Sequence, residues 1–334
     1  MMATPTHYVG RLAPSPTGAL HLGNARTFLI AWLRCRAAGG RMILRMEDLD
    51  HPKVKPGTAA AVYDDLRWMG LDWDVGADTD PAEYVQSQRR AHYRRAFDTL
   101  RAAGRIYPCT CSRQDIVAAQ SAPHDGEELH YPGTCRDRWP DAAAAQDATG
   151  KPPAWRFRVD DEAVSVFDDA VCGPQCSRLT EWSGDFVVAR GPDDPAYQLA
   201  VVVDDAAMQV SEVVRADDLL ATTHRQLALY DALALQPPGS WCHVPLVVGP
   251  DGRRLAKRHG DTRVCTIRDA GTPPERLIGW LAWTLGVAAR GDELTTSDLL
   301  DRFGQPDGLG AGTQTMPRER IVVQAADHQL LGIA

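Results

Sequence analysis

From Gly10 to Leu29 the chain reads GRLAPSPTGALHLGNARTFL, a short strand pattern thrown through a turn straight into a helix. Pro14 and Pro16 stiffen the chain as it leaves a strand spanning Tyr8 to Leu12. Gly18 and Gly23 remove side chains where backbone must approach something closely. Leu22, Leu29, Trp32 and Leu33 then fall near one face of a helix predicted over 22–37. Such a helix points free N–H groups and the positive end of its dipole into the turn, which makes an anion site. His21 adds a hydrogen-bond donor there. An ordinary strand-to-helix turn uses the same residue types, so the segment needs a partner elsewhere before it speaks of function.

A strand pattern at Arg41 to Met46 completes a βαβ unit, which predicts a parallel sheet with helices on its faces. Helical patterns recur over 58–69 and 88–103, and then the periodicity breaks. Residues 107–153 combine a cysteine cluster, Pro and Gly with the Ala-rich DAAAAQDATGKPP, a composition suited to an insertion between sheet strands. Sheet-like runs return at 155–159 and 186–189. SEVVRADDLL with TTHRQLALYDALAL reads as strand then helix, HVPLVVGPDGRRL as strand then turn, and TPPERLIGWLAWTLG as a helix with Pro in its first turn. The predicted organisation is two halves of one α/β domain, 1–106 and 154–262, an insertion at 107–153, and a short, mostly helical region at 263–334.

The 334 residues carry a net charge of −8, so the molecule is no polycation, and a polyanionic partner has to meet a local basic surface. QRRAHYRRAF offers one: Arg90 and Arg94 stand one turn apart, and Arg89 and Arg95 widen the patch, although a solvated helix face reads the same way. No signal-like start and no long apolar run occurs, which predicts a cytoplasmic protein with no membrane partner. Eight cysteines are too sparse for a disulfide scaffold, but Cys109, Cys111 and Cys135 cluster as soft ligands for a tetrahedral Zn²⁺. On chemistry alone, His130 or His124 supplies the fourth ligand. Cys172 and Cys176, with no histidine nearby, read as plain cysteines.

The partner of the opening segment is VVGPDGRRLAKRHGD, where Arg253, Arg254, Lys257 and Arg258 crowd a Gly-containing loop. Cations on a loop can neutralise the charge that builds up as a nucleotide α-phosphate is attacked. Together the two stretches resemble the HIGH and KMSKS signatures of class I aminoacyl-tRNA synthetases, as HLGN and RLAKR. The resemblance sharpens to the glutamyl branch through RLAPSPTGALHLGNART, LRMEDLDHPKVKPG, AYQLAVVVDD and SEVVRADDLL, which cover most of residues 8–261 in the expected order. Asn24 replaces the second His of HIGH. Arg254 replaces the first Lys of KMSKS and keeps its charge, whereas Ala256 loses the Ser hydroxyl.

The resemblance implies a Rossmann-like α/β catalytic domain with a zinc-containing insertion. It also implies adenylate formation, in which the α-carboxylate of L-glutamate attacks the α-phosphorus of ATP and expels pyrophosphate, with Mg²⁺ accompanying the nucleotide. His21 and the turn amides would hold phosphate, Gly23 would leave room for adenosine, and Asn24, Arg254 and Lys257 would complete the ATP site. Arg11 would take the glutamate side-chain carboxylate with Arg215 beside it, and Glu47 the ammonium group. Leu12, Ala13, Pro14 and Ser15 would form the pocket wall and Tyr197 its lid. Relatives with this cysteine pattern use the tyrosine, here Tyr131, as the fourth zinc ligand, and four protein ligands make the metal structural.

Only 76 residues follow Arg258, fewer than the ~100 to 200 of a typical domain, so the sequence predicts no anticodon-binding domain. That brevity, with EDLDHPKVKPG, resembles the glutamyl-queuosine tRNA(Asp) synthetase branch. The implied partner is then tRNA(Asp) containing queuosine, whose cyclopentene diol in the anticodon loop receives glutamate activated without tRNA. No obligatory protein partner is evident. Rival expectations are a truncated or split synthetase charging tRNA(Glu), a non-catalytic zinc-containing RNA-binding protein, and a nucleotidyltransferase unrelated to tRNA.

Overall fold

The computed structural model describes residues 8–49, 54–118, 130–255, 259–303 and 318–333. Strand β1 (Val9–Leu12) leads into α1 (Leu22–Ala37) and back to β2 (Arg41–Leu44), which runs parallel to β1 with Val9 opposite Arg41. After α2 (Thr58–Trp68), β3 (Val75–Gly76) adds a parallel edge beside β2. The predicted βαβ unit is therefore present, and α1 has the predicted bounds.

Helix α1 is apolar on more than the one face the periodicity marks. Leu22, Ala25, Phe28, Leu29, Ile30, Trp32 and Leu33 are all buried, because the helix packs on the sheet on one side and on later helices on the other.

Beyond α3 (Pro81–Tyr84) and α4 (Arg90–Ala102), the chain departs from the expectation of a single sheet. β4 (Ile106–Cys109) precedes α5 (Arg113–Ala118) and α6 (Ala142–Thr149). It pairs antiparallel with β5 (Ala154–Phe157), so the run read as a returning strand closes a separate sheet. β6 (Val164–Asp169) and β7 (Gly173–Arg178) form a hairpin. After α7 (Leu179–Trp182), β8 (Phe186–Gly191) and β9 (Asp194–Pro195) complete the antiparallel order β4-β5-β8-β9.

The parallel arrangement resumes after α8 (Tyr197–Ala207). β10 (Glu212–Ala216), followed by α9 (Thr222–Ala232), pairs in parallel with β11 (Ser240–Val244), and β11 touches the end of β6. β10 lies beside β1, since the Ser211 amide donates to the Val9 carbonyl at 2.9 Å. The two halves of the sheet thus meet at β1 and β10, the position at which open α/β sheets bind ligands past their strand ends.

The last part is built onto this core. β12 (Val247–Val248) leads, through the charged loop, to α10 (Val264–Asp269), α11 (Pro274–Thr284) and α12 (Thr296–Phe303). β13 (Ile321–Val322) returns parallel to β12 before α13 (Ala325–Leu330). Leu277, Ile278, Trp280 and Leu281 of α11 share one apolar cluster with Leu22 and Leu29. No helix of the described residues is long and apolar enough to cross a membrane.

Candidate active site

A cavity of about 600 Å³ opens past the ends of β1 and β10. Arg11, Ala13, Pro14, Ser15, Glu47, Tyr197 and Arg215 line one part of it, and His21, Gly23, Asn24 and Arg254 another. Leu12 is the exception. Arg11 and Leu12 are neighbours on a strand and so point to opposite faces, and with Arg11 in the cavity Leu12 lies fully buried in the core around α1. Lys257 and Ala256, like Arg258, lie outside the described residues.

The two signature stretches do converge. The Leu22 amide donates to the Thr262 carbonyl at 3.0 Å and the Val264 amide to Leu20 at 2.8 Å, and Arg254 bridges back to Val248. The charged loop is therefore clamped at both ends, with its downstream end fixed to the entry of α1.

The expectation of free amides at that entry is overturned. His21 Nδ1 accepts from the Gly23 amide at 3.1 Å and the Asn24 amide at 3.4 Å, and Asn24 Oδ1 accepts from the His21 amide at 3.3 Å. With Leu22 bonded to Thr262 and Ala25 to the His21 carbonyl, each first-turn donor has a partner. Because Nδ1 accepts, the ring proton sits on Nε2. Burial and the nearby Arg254 push the imidazole pKa down to about 4, so the ring stays neutral near pH 7. The donors this turn leaves for an anion are the Nε2–H and nearby cations such as Arg254.

Gly23 serves the cap. A Cβ there would stand 3.0 Å from His21 Cε1 and 3.1 Å from Nδ1. Gly23→Ala is expected to displace the ring, costing about 1 kcal/mol of stability in a denaturant titration, as for a lost N-cap, and about tenfold in ATP/pyrophosphate exchange through misplacement of the Nε2–H.

Charged groups from distant segments form the other wall. Arg45 is fully buried, donating to Asp205 Oδ1 at 2.6 Å and to Glu47 Oε1 at 2.9 Å. Arg11 sits 3.4 Å from the same Asp205 oxygen and donates to the Val214 carbonyl at 3.0 Å. Burial works against the charge of Asp205, but Arg45 and Arg11 outweigh it and hold its carboxyl below the usual range. Burial raises the pKa of Glu47, with Arg45 and Arg11 opposing the rise.

Arg215 forms no ion pair among the described residues. Its Nε donates to His243 Nε2 at 2.9 Å and its Nη2 to Thr223 Oγ1 at 2.8 Å. Nη1 is buried and has no hydrogen-bond partner, as is also true of Arg11 Nε. One guanidinium with an unspent Nη1 and a second whose Nε is held only by the 3.4 Å ion pair to Asp205, beside Glu47 and a half-exposed tyrosine, fit a small molecule that carries carboxylate and ammonium groups.

Sequence reasoning missed Arg45, Asp205 and His243. The available signal was charge inside apolar runs, as in MILRMED and LAVVVDD. It also placed Arg89 on a basic surface. Arg89 is in fact 1% exposed, held by Asp204 at 2.8 Å and Glu83 at 2.9 Å, and Arg94 pairs with Asp98 and Asp193.

In the insertion, the Cys109, Cys111 and Cys135 sulfurs lie within 4.8 Å of one another. The Tyr131 hydroxyl stands 3.3 Å from Cys109 Sγ and 3.9 Å from Cys111 Sγ, and accepts from the Cys135 amide at 2.8 Å. His130 points elsewhere, its Nε2 2.9 Å from the Thr180 carbonyl, and His124 lies outside the described residues. Three soft donors and a phenol converge on one point, a set that can hold a metal ion. Gly184 packs against this cluster, and a Cβ there would meet the Tyr131 carbonyl at 2.4 Å. Cys172 and Cys176 stand apart, Cys172 half-buried and Cys176 exposed.

The sequence model of the class I tRNA synthetases (E and Q), catalytic domain, matches residues 8–302. The chain belongs to this synthetase family. It is 49% identical over 299 residues to the glutamyl-Q tRNA(Asp) synthetase of Symbiobacterium thermophilum, covering 88% of this chain and 91% of that one. The glutamyl-Q tRNA(Asp) synthetase of Deinococcus radiodurans is 45% identical over 303 residues, with 88% and 96% covered. A glutamate–tRNA ligase 2 of Syntrophus aciditrophicus is 38% identical over 310 residues, which are 62% of its length. Among solved structures, a glutamate tRNA ligase of Elizabethkingia meningosepticum superposes with a TM-score of 0.77 at 23% identity. That match covers 97% of this chain and 68% of the other, and it shows the shared synthetase fold.

Proposed function

We propose that this protein activates L-glutamate with ATP, without tRNA, and transfers it to the cyclopentene diol of queuosine in the anticodon loop of tRNA(Asp). The carrying observation is near-half identity along about nine-tenths of glutamyl-Q tRNA(Asp) synthetases, together with a cavity that joins the signature turn to Arg11, Glu47 and Arg215.

In the activation step the α-carboxylate attacks the α-phosphorus and pyrophosphate leaves, so catalysis is positioning and charge stabilisation. Arg11 and Arg215 hold carboxylate, Glu47 accepts the ammonium group, and Tyr197 covers the amino acid. His21 donates from Nε2 to phosphate, and Asn24, Arg254 and Lys257 meet the nucleotide. Mg²⁺ bound with ATP would supply charge shielding for its phosphates. Cys109, Cys111, Cys135 and Tyr131 would hold one structural Zn²⁺ and so staple the insertion, whose described side chains offer no large core of their own.

The test is transfer of labelled glutamate to tRNA(Asp) with and without queuosine, and to tRNA(Glu), alongside glutamate-dependent ATP/pyrophosphate exchange free of RNA. Exchange without RNA and transfer only to queuosine-containing tRNA(Asp) is the expected result. Transfer confined to tRNA(Glu) would overturn the assignment in favour of an ordinary glutamyl synthetase, and absence of exchange would favour a binding protein.

A further inference from the structure

Three adjacent strands deliver Arg215, His243 and Asp169 in a row. Arg215 lies opposite His243 in the β10–β11 ladder, and Asp169 at the end of β6 lies opposite Trp241 on β11. His243 is fully buried, and its Nδ1 stands 2.6 Å from Asp169 Oδ2. Its other nitrogen, Nε2, faces Arg215 Nε at 2.9 Å. An arginine Nε can only donate, so Nε2 must be the acceptor and the single ring proton must lie on Nδ1, toward Asp169. The Asp169 carboxylate is itself oriented, since Oδ1 accepts the backbone amides of Val171 at 3.0 Å and Cys172 at 2.8 Å.

This arrangement uses up two faces of the Arg215 guanidinium on neutral acceptors, His243 and Thr223, and leaves Nη1 buried and unpartnered at the cavity. A carboxylate in place of His243 would neutralise the guanidinium and weaken its pull on an incoming anion. An apolar side chain would strand the Nε–H. A neutral acceptor whose tautomer is set from behind meets both needs.

We propose that Asp169 and His243 are positioning residues that orient Arg215 toward the glutamate carboxylate while leaving its charge for the substrate. The proposal rests on Arg215 being a glutamate contact, so an Arg215→Ala control accompanies the test.

The experiment is ATP/pyrophosphate exchange by the full-length enzyme, with KM measured separately for glutamate and ATP. His243→Phe keeps the ring volume and removes the acceptor. It is expected to raise the glutamate KM about ten- to hundredfold, the scale of a lost hydrogen bond to a charged group, while the ATP KM stays within about threefold. His243→Gln, which can present a carbonyl oxygen near the old Nε2 position, is expected to restore most of the loss. In Asp169→Asn the Val171 and Cys172 amides claim the carbonyl oxygen, which turns the NH₂ toward His243 Nδ1 and against the His243 amide that Oδ2 accepts at 3.1 Å. That moves the ring proton to Nε2, a change visible in ¹⁵N-resolved imidazole spectra, and should reproduce the His243→Phe effect. The proposal is overturned if a folded His243→Phe or Asp169→Asn enzyme keeps its glutamate KM within about twofold while Arg215→Ala loses it, or if glutamate and ATP KM rise together. Should Arg215→Ala leave the glutamate KM unchanged, the assignment of the pocket falls as well.

Discussion

Replacing Arg215 with alanine is expected to lower glutamate-dependent pyrophosphate exchange by about 150- to 5,000-fold, the equivalent of the ~3–5 kcal/mol lost when one partner of a buried pair is removed. The size follows from where the side chain sits. Arg215 is 5% exposed, no carboxylate among the described residues pairs with it, and burial pulls its pKa below the usual arginine value. Glutamate would then enter a pocket with one unspent cation fewer and bury a carboxylate without its counter-charge. Because Arg11 remains, paired to Asp205 at 3.4 Å, the ATP KM should change little. An effect under about tenfold in a folded protein would place the carboxylate on Arg11 alone.

The second large effect concerns the insertion. Cys135→Ala is expected to abolish metal binding, measured as zinc per chain by elemental analysis, and to lower the midpoint of thermal unfolding by about 10 °C, since the binding energy of a structural metal is also folding energy. The cluster around Cys109 has few apolar companions, Tyr107, Ile116, Tyr131 and Cys135 among them, so little else would hold it together. Limited proteolysis should then cut between β4 and β5 first. Cys176→Ala supplies the contrast, because that thiol is exposed on β7 and is not one of the clustered cysteines. Retention of zinc by Cys135→Ala would sink the ligand set.

What could be read from the sequence was local, or tied to a motif. The turn from β1 to α1, the charged loop and the cysteine cluster each announce themselves within some thirty residues, and all occupy the predicted neighbourhoods. Pairings over long separations could not be read. Arg45 meets Asp205 across 160 positions and His243 meets Asp169 across 74, and no periodicity encodes such distances. Other departures have single physical reasons. Leu12 points inward because strand residues alternate, and the runs at 155–159 and 186–189 carry sheet propensity without saying which sheet they join. Arg89 looked solvated because helix spacing cannot show that Asp204 waits beneath it. The amides of α1 looked vacant because nothing in HLGN says that the histidine bends back to occupy them.

Strand β13 also ties one wall of the cavity to a late part of the chain. Val247, on the cavity wall, is laddered to Ile321, and Trp280 hydrogen-bonds Asp327 at 3.0 Å, so this side of the cavity is braced by residues synthesised well after β12. A nascent chain stalled before residue 320 would already hold Arg11, Glu47 and Arg215, yet it would lack the strand that pairs with β12 behind Val247.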